Sequence, residues 1–216
     1  MNALNKFQLQ SLYEKRSKRY DFTANLYYLI GFREYAYRRK AVDALNLHQG
    51  DTVVEVSCGT GLNFPLLQKS VGPKGRIIGV DLTEAMLKQA QRRVEDHQWK
   101  NVELIHCDAA QYGFPDGIDG VISTFAITLI PEFDQIINNG AQALKTNKRF
   151  VVLDFKLPTG ALAFLAPVAA ATMKPFGVSL DLADRHPWES IQHHMQNLEM
   201  ETLFGGFTYV ATGKKR

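Results

Sequence analysis

A chain of 216 residues, 45% hydrophobic and 22% charged, has the length and composition of one α/β domain with a sizeable core, which excludes global disorder. A formal net charge of +3 is too mild to indicate a nucleic-acid partner, although it leaves an anionic membrane surface open. Two cysteines, Cys58 and Cys107, make neither a disulfide framework nor a metal-ligand cluster, and neither a secretory signal nor a clear membrane span is evident, so a metal-free protein in the cytoplasm is expected.

Met1 to Tyr20 reads as an amphipathic helix, with Leu4, Phe7, Leu9, Leu12 and Tyr13 at helical spacing. Lys6, Lys15, Arg16, Lys18 and Arg19 face a single acid, Glu14, which suits a helix lying on an anionic membrane or over an active site. An ordinary solvated helix fits the same pattern. The stretch 20–37 holds five tyrosines, whose apolar rings and polar tips suit the enclosure of an amine or the packing of a core. A helix from Arg38 to Leu47 then leads through a turn at Gln49-Gly50-Asp51.

The core begins with the buried-strand run Thr52 to Val56, the small-residue loop Ser57-Cys58-Gly59-Thr60-Gly61 and a helix from Leu62 to Lys69. A second strand, Arg76 to Asp81, precedes a helix from Thr83 to about His97. A third strand runs from Asn101 to Cys107 and a fourth from Asp119 to Ile127. Glu132 to Leu144 is helix, and Phe150 to Phe155 is a fifth strand with Asp154 near its end. Gly160 to Met173 is an apolar run too short to span a bilayer; it reads as an insertion, either a lid or membrane-touching hairpin or a buried helix. A helix starts at about Pro187, and Met200 to Phe204 with Phe207 to Thr212 form two antiparallel strands across Gly205-Gly206. The expected organisation is a single domain, 1–216, with an N-terminal helical cap at 1–48 and the insertion at 157–190.

Strands separated by helices pair in parallel through right-handed crossovers, so the fold class is a Rossmann-like doubly wound α/β sheet of seven strands, mostly parallel with an antiparallel last strand. Ligands of such sheets bind at the carboxyl ends of the strands, where Glu55, Asp81 and Asp108 fall about one βα unit apart. The glycines match neither the dinucleotide fingerprint nor a phosphate loop. A carboxylate at Asp81 suits a ribose diol, Leu82 and Met86 can sandwich an adenine, and Asp108 with the Ala109 backbone can read its edge.

The segments V-V-E-V-S-C-G-T-G, G-V-D-L-T-E-A-M-L, H-C-D-A-A and I-D-G-V-I-S-T-F together resemble the successive motifs of the class I S-adenosylmethionine (SAM)-dependent methyltransferases over about residues 50–155. The resemblance implies that SAM is the cofactor and S-adenosylhomocysteine the product. It implies that Gly59 and Gly61 turn under the methionine portion, that Glu55 orients that end, that Asp81 takes the ribose hydroxyls, that Asp108 and Ala109 meet adenine, and that Ser123 lies near the sulfonium. Ser57 stands where that family usually has glycine, which makes the loop backbone less permissive.

The flanks, from Tyr20-Asp21-Phe22-Thr23 to Arg33 and from Ser123 to Pro131, resemble the bacterial lipid head-group N-methyltransferases of the phosphatidylethanolamine and betaine-lipid types. That likeness implies contact of Tyr20 with the methionine end and an amine acceptor on a lipid head group or similar small amphiphile, on the inner face of the membrane. Direct displacement needs an unprotonated amine, and Tyr20, Tyr27 and His186 are the candidate catalytic groups. Arg33 and Arg185 are candidates for pairing with a phosphate or carboxylate head group, or for structural ion pairs. The alternatives are a C- or O-methyltransferase acting on a quinone or another apolar ring, and a SAM-binding protein without catalysis.

Overall fold

The computed structural model describes residues 6–16, 31–158, 182 and 184–216. Helix α1 is Lys6–Arg16 and α2 is Glu34–Ala44. The core alternates β1 Thr52–Val56, α3 Phe64–Val71, β2 Arg76–Asp81, α4 Glu84–Asp96, β3 Val102–His106, β4 Ile118–Thr124, a 3-10 turn at Ile127–Leu129, α5 Phe133–Ala143 and β5 Leu144–Phe155. Helix α6, Pro187–His194, precedes β6 Gln196–Leu203, a 3-10 turn at Phe204–Gly206 and β7 Thr208–Lys214.

The seven strands form one sheet in the order β3-β2-β1-β4-β5-β7-β6. Its first five members are parallel, and β7 runs antiparallel to both β5 and β6. The expected sheet is therefore the observed one. The differences lie at the boundaries. Helix α2 starts four residues ahead of the expected position, because Glu34 forms a buried ion pair with Arg38 one turn later, at 2.7 Å. Strand β5 starts at Leu144 rather than Phe150, and its pairing with β4 carries an irregularity between Ile118 and Gly120. The apolar run of 160–173, with most of the expected insertion, lies outside the described residues.

Alternation along the strands splits the core into two layers. Val53, Ile77 and Ile122 face α2, α3 and α4, where Ala41, Phe64, Leu67, Leu87 and Ala90 pack against them. Val54, Val56, Ile78 and Val121 face α5 and α6 through Ile136, Ile137 and Ile191. Phe64 is wholly buried at the start of α3, where Pro65 occupies a first-turn position that needs no N–H partner. A Cβ at Gly79 would lie 2.8 Å from the Phe64 ring and 2.9 Å from Cys58 Sγ, so the missing side chain lets the loop and α3 sit down on β2.

The two edges of the sheet differ in what they leave unpaired. At the amino edge, Asp119 takes Lys145 Nζ at 2.9 and 3.0 Å and the Thr52 N–H at 3.0 Å, a closed structural cluster. The carboxyl edge opens into a crevice between the loops after β1, β2, β3 and β4. No helix among the described residues is long and apolar enough to cross a membrane.

Candidate active site

The crevice has a polar end and an apolar end. Ser57, Gly59, Asp81, Thr83 and Asp108 line the polar end, with Leu82, Met86 and Ala109 beside them. The exit of β4 supplies the other wall through Thr124, Phe125 and Ala126, continued by Leu129, Ile130 and Pro131. Gln10 and Tyr13 of α1 complete the lining, and Gln10 Nε2 donates to the Leu82 carbonyl at 3.3 Å. Of the two functions considered for the N-terminal helix, the one the geometry displays is its position over this crevice. Phe7, 79% exposed, does not join the packing.

The loop after β1 is built on left-handed backbone. Ser57, Gly59 and Gly61 have φ of +55°, +55° and +75°. Ser57 is thus an L-residue in the conformation glycine prefers, as expected from its place in the motif. A Cβ on Gly59 would meet nothing within 4 Å, so the backbone there is open to a ligand. A Cβ on Gly61 would lie 2.5 Å from the Phe64 ring. The loop is held by the Cys58 N–H to Val80 O at 3.0 Å and by Arg93, whose guanidinium donates to the Thr60 carbonyl.

Asp81 is the hinge of the polar end. Its Oδ2 accepts the Gly59 N–H and its Oδ1 the Thr83 N–H, both at 2.8 Å. The Thr83 side chain bonds the same carboxylate, which leaves it acceptor capacity for a ribose hydroxyl. Burial raises its pKa, opposed by those two N–H bonds. Asp108 is fixed through Oδ1, which accepts the Ala110 N–H at 3.0 Å. His106 holds Leu82 in place through a 2.9 Å contact between Nε2 and the Leu82 carbonyl. The expected nucleoside residues Asp81, Leu82, Met86, Asp108 and Ala109 are therefore brought together.

Glu55 lies beneath the crevice instead of on its surface. It is 1% exposed, and its Oε1 accepts Asn63 Nδ2 at 2.6 Å. Burial pushes its carboxyl up to about 8, against the pull of Asn63 and Arg38. The same Asn63 amide donates to Thr124 Oγ1 at 2.9 Å, while its Oδ1 accepts Arg38 Nη1 at 3.3 Å. Arg38 Nη1 also donates to Thr124 Oγ1 at 2.6 Å, and the guanidinium stands 5.1 Å from the centre of the Phe125 ring. Phe125 has φ +55°, a strained conformation for an aromatic residue, fixed by its N–H to Leu153 O at 2.7 Å and by ring contacts to Phe32 and Phe155.

Ser123 differs from the expectation. It pairs with Val56 inside the sheet, is fully buried and does not line the crevice. Strand alternation turns it toward the α5–α6 layer, and the next residue, Thr124, reaches the rim on the α2–α4 side. His186 also stands outside the lining; it precedes α6, stacks on Trp188 with centroids 4.6 Å apart and bonds Glu189 Oε1 through Nδ1 at 3.0 Å. Arg185 donates to the carbonyls of Thr128 and Leu129 at 3.0 and 2.8 Å, so it buttresses the apolar wall. Asp154 supports the same turn by accepting the Thr128 N–H at 2.9 Å. Arg33 is exposed at the start of α2. Tyr20, Tyr27 and Tyr28 lie outside the described residues. Of the other tyrosines in 20–37, Tyr35 is exposed and Tyr37 packs edge-on against Phe32; neither lines the crevice.

Arg38, Asn63, Thr124 and Phe125 are the site residues that sequence reasoning missed. A signal existed for two of them. Glu34 and Arg38 are an i,i+4 pair within an aromatic stretch, and Asn63 immediately precedes an apolar helix with proline in its first turn.

Comparison with known proteins gives a consistent picture. The profile of the ubiE/COQ5 methyltransferase family matches residues 1–210. The demethylmenaquinone methyltransferase of Listeria welshimeri is 28% identical over 153 residues, 70% of this chain and 64% of the relative. That of a Geobacillus species is 29% identical over 154 residues, 70% of this chain and 64% of the relative. The matches thus span a little under two thirds of the relatives' length. A SAM-dependent methyltransferase from Aquifex aeolicus has the same fold, with a TM-score of 0.62 at 19% identity over 83% of this chain and 89% of that one.

Proposed function

The chain belongs to the ubiE/COQ5 methyltransferase family, and on that premise we propose that it transfers a methyl group from SAM to a reduced quinone or a closely related planar, apolar ring. The observation that carries this reading is the activity named for the relatives, demethylmenaquinone methyltransferase. The crevice supports it, since its apolar end is walled by Phe125, Leu129, Ile130 and Pro131. Of the two enzyme readings drawn from sequence, the ring acceptor is favoured over the lipid amine by the activity named for the relatives.

The polar end fits SAM on its own chemistry, through an oriented carboxylate at Asp81, open backbone at Gly59 and a buried acid at Glu55. When bound there, SAM supplies an electrophilic methyl group. In this reading Asp81 holds the ribose and Asp108 with Ala109 the adenine, while Leu82 and Met86 flank the base. The Gly59–Gly61 backbone receives the methionine portion, with Glu55 acting from below. The apolar wall orients the ring and excludes water, so proximity and desolvation provide most of the acceleration. The nucleophile is an electron-rich ring carbon or a ring oxygen; its bond to the methyl group would form as the sulfonium–methyl bond breaks and S-adenosylhomocysteine leaves, and the proton on that carbon or oxygen is lost.

The direct test is transfer of radiolabelled methyl from SAM to reduced naphthoquinones and benzoquinones, beside a lipid extract containing phosphatidylethanolamine. Label in the quinone fraction is expected. Label confined to the lipid amines would overturn the ring acceptor and restore the other reading.

A further inference from the structure

The apolar wall of the crevice is one short turn whose backbone is fastened from outside the crevice. After β4 the chain passes through Phe125 at φ +55° and Ala126 at φ −145° and ψ −42°, then through the 3-10 turn Ile127–Leu129 to Ile130 and Pro131. Leu129, Ile130 and Pro131 line the crevice, whereas Thr128 is buried and does not. A three-residue turn satisfies few of its own backbone groups, and an aromatic residue in left-handed backbone persists only where its surroundings over-determine it.

Two charged side chains from separate segments supply the restraint. Asp154, near the end of β5, accepts the Thr128 N–H on Oδ2 at 2.9 Å and the Phe155 N–H on Oδ1 at 2.8 Å. Arg185, just ahead of α6, donates through Nη1 to the carbonyls of Thr128 and Leu129 at 3.0 and 2.8 Å. An acid therefore holds an N–H of the turn and a base holds its carbonyls, both through charge-assisted bonds, which are the stronger kind. Asp154 is 2% exposed, Arg185 is half-buried, and neither lines the crevice. The polar end is fastened by other residues, Asp81 to Gly59 and Thr83, and Asp108 to Ala110. The two ends of the crevice thus have separate supports.

We propose that Asp154 and Arg185 are positioning residues for the methyl acceptor: they clamp the Ile127–Leu129 turn through its N–H and its carbonyls, and so set where the apolar wall stands against the transferred methyl group. This rests on the reading of the site as that of a methyltransferase. Neither residue touches a ligand in this arrangement. Both act through the wall, so their loss falls on the acceptor and spares the cofactor. Misplacement of a reacting group by about 1 Å, caused by a change far from the chemistry, can cost about 100-fold in rate. A wall freed of either clamp has that much room to move the acceptor out of line.

The experiment uses the full chain with Asp154→Asn, Arg185→Leu and the two combined. Steady-state kinetics at saturating SAM uses whichever acceptor the parent protein labels, reduced naphthoquinone or lipid amine, and calorimetry measures S-adenosylhomocysteine binding. In each single variant kcat/KM for the acceptor is expected to fall by about 10- to 100-fold, while S-adenosylhomocysteine affinity stays within about twofold of the parent. The combined variant should lose little beyond the worse single one, because both changes free the same turn and residues that share a partner are not additive. Arg185 is half-buried, so its variant serves if Asp154→Asn does not fold. Acceptor kinetics within about twofold of the parent in folded variants, a matching loss of S-adenosylhomocysteine affinity, or losses that multiply in the combined variant each overturn the assignment. Label in the lipid amine changes the acceptor proposed above, and the same variants measured with that acceptor still decide whether the clamp positions it. Failure of the parent protein to bind S-adenosylhomocysteine would instead remove the methyltransferase reading on which the clamp stands.

Discussion

Gly59 donates its backbone N–H to Asp81 Oδ2 at 2.8 Å, so the loop after β1 and the acid that ends β2 are joined across 22 residues of sequence. The carboxylate that suits the ribose also sets the loop that suits the methionine portion. Removing it should therefore disturb both. Asp81→Asn is expected to weaken SAM binding by about 10- to 100-fold, since hydrogen bonds to a charged group are worth about 1.5–3 kcal/mol. Calorimetry with SAM and S-adenosylhomocysteine checks this; an unchanged affinity would be incompatible with the assigned site.

The two left-handed positions flanking Gly59 respond in opposite ways. Gly61→Ala combines φ +75° with a Cβ 2.5 Å from the buried Phe64 ring, so it should cost about 1–3 kcal/mol and lower Tm by several degrees. Ser57→Gly relieves an L-residue at φ +55° and adds chain freedom to the unfolded state; the two effects together place it between no change and about 1 kcal/mol of added stability. Thermal unfolding of both variants measures the contrast.

Two buried acids make stability fall as pH rises. Glu55 is raised from 4.5 to about 8 and Asp154 from 3.8 to about 6, in each case chiefly by burial. Within those windows the unfolded chain is ionised while the folded group keeps its proton, so the native state binds more protons. The contribution is complete below the unfolded pKa and is lost on the way up through the folded one, with a slope of at most about 1.4 kcal/mol per pH unit for each group. Urea unfolding from pH 4 to 9 should show Asp154→Asn flattening the section below about 6, and Glu55→Gln flattening the section that extends to about 8. A profile that Glu55→Gln leaves unaltered between 6 and 8 would count against a neutral Glu55.

Helix α1 contributes Gln10 and Tyr13 to the crevice while presenting Phe7 to solvent. Deleting residues 1–16 should weaken SAM binding while leaving the sheet intact by circular dichroism. The basic residues of this segment give a second readout. Co-sedimentation of the full chain with anionic vesicles should decline as salt is raised and should fall in the deletion. Equal sedimentation of both proteins would take the helix out of any membrane role.

The sheet was legible because its strands are runs of valine and isoleucine separated by helix-length segments, and parallel topology follows from that spacing. Asp81 and Asp108 were legible because strand ends are where such sheets bind ligands. The strand-four exit was not. Every residue from Ile118 to Thr124 is buried, so no alternation of polar and apolar residues marks which face each side chain takes, and Ser123 could not be told from Thr124. Arg38 was hidden for a different reason. Its partners Asn63 and Thr124 lie 25 and 86 residues away, and nothing local to a helix shows that its arginine will be covered by a sheet edge. The helices ran a few residues off at their ends because caps and ion pairs, such as Glu34 with Arg38, set the boundary more than apolar periodicity does.

The seating of the first loop on β2 gives the protein a built-in chemical clock. Cys58 is buried against Gly79 with its thiol pushed well above the ordinary range by burial, whereas Cys107 is half-exposed. A thiol reagent should therefore modify Cys107 promptly and Cys58 only in molecules whose loop has lifted from the sheet. The slow phase of alkylation counts those openings. A nucleoside that clasps the loop to Asp81 should lengthen it, so a cofactor fit could be timed in a cuvette without any methyl acceptor.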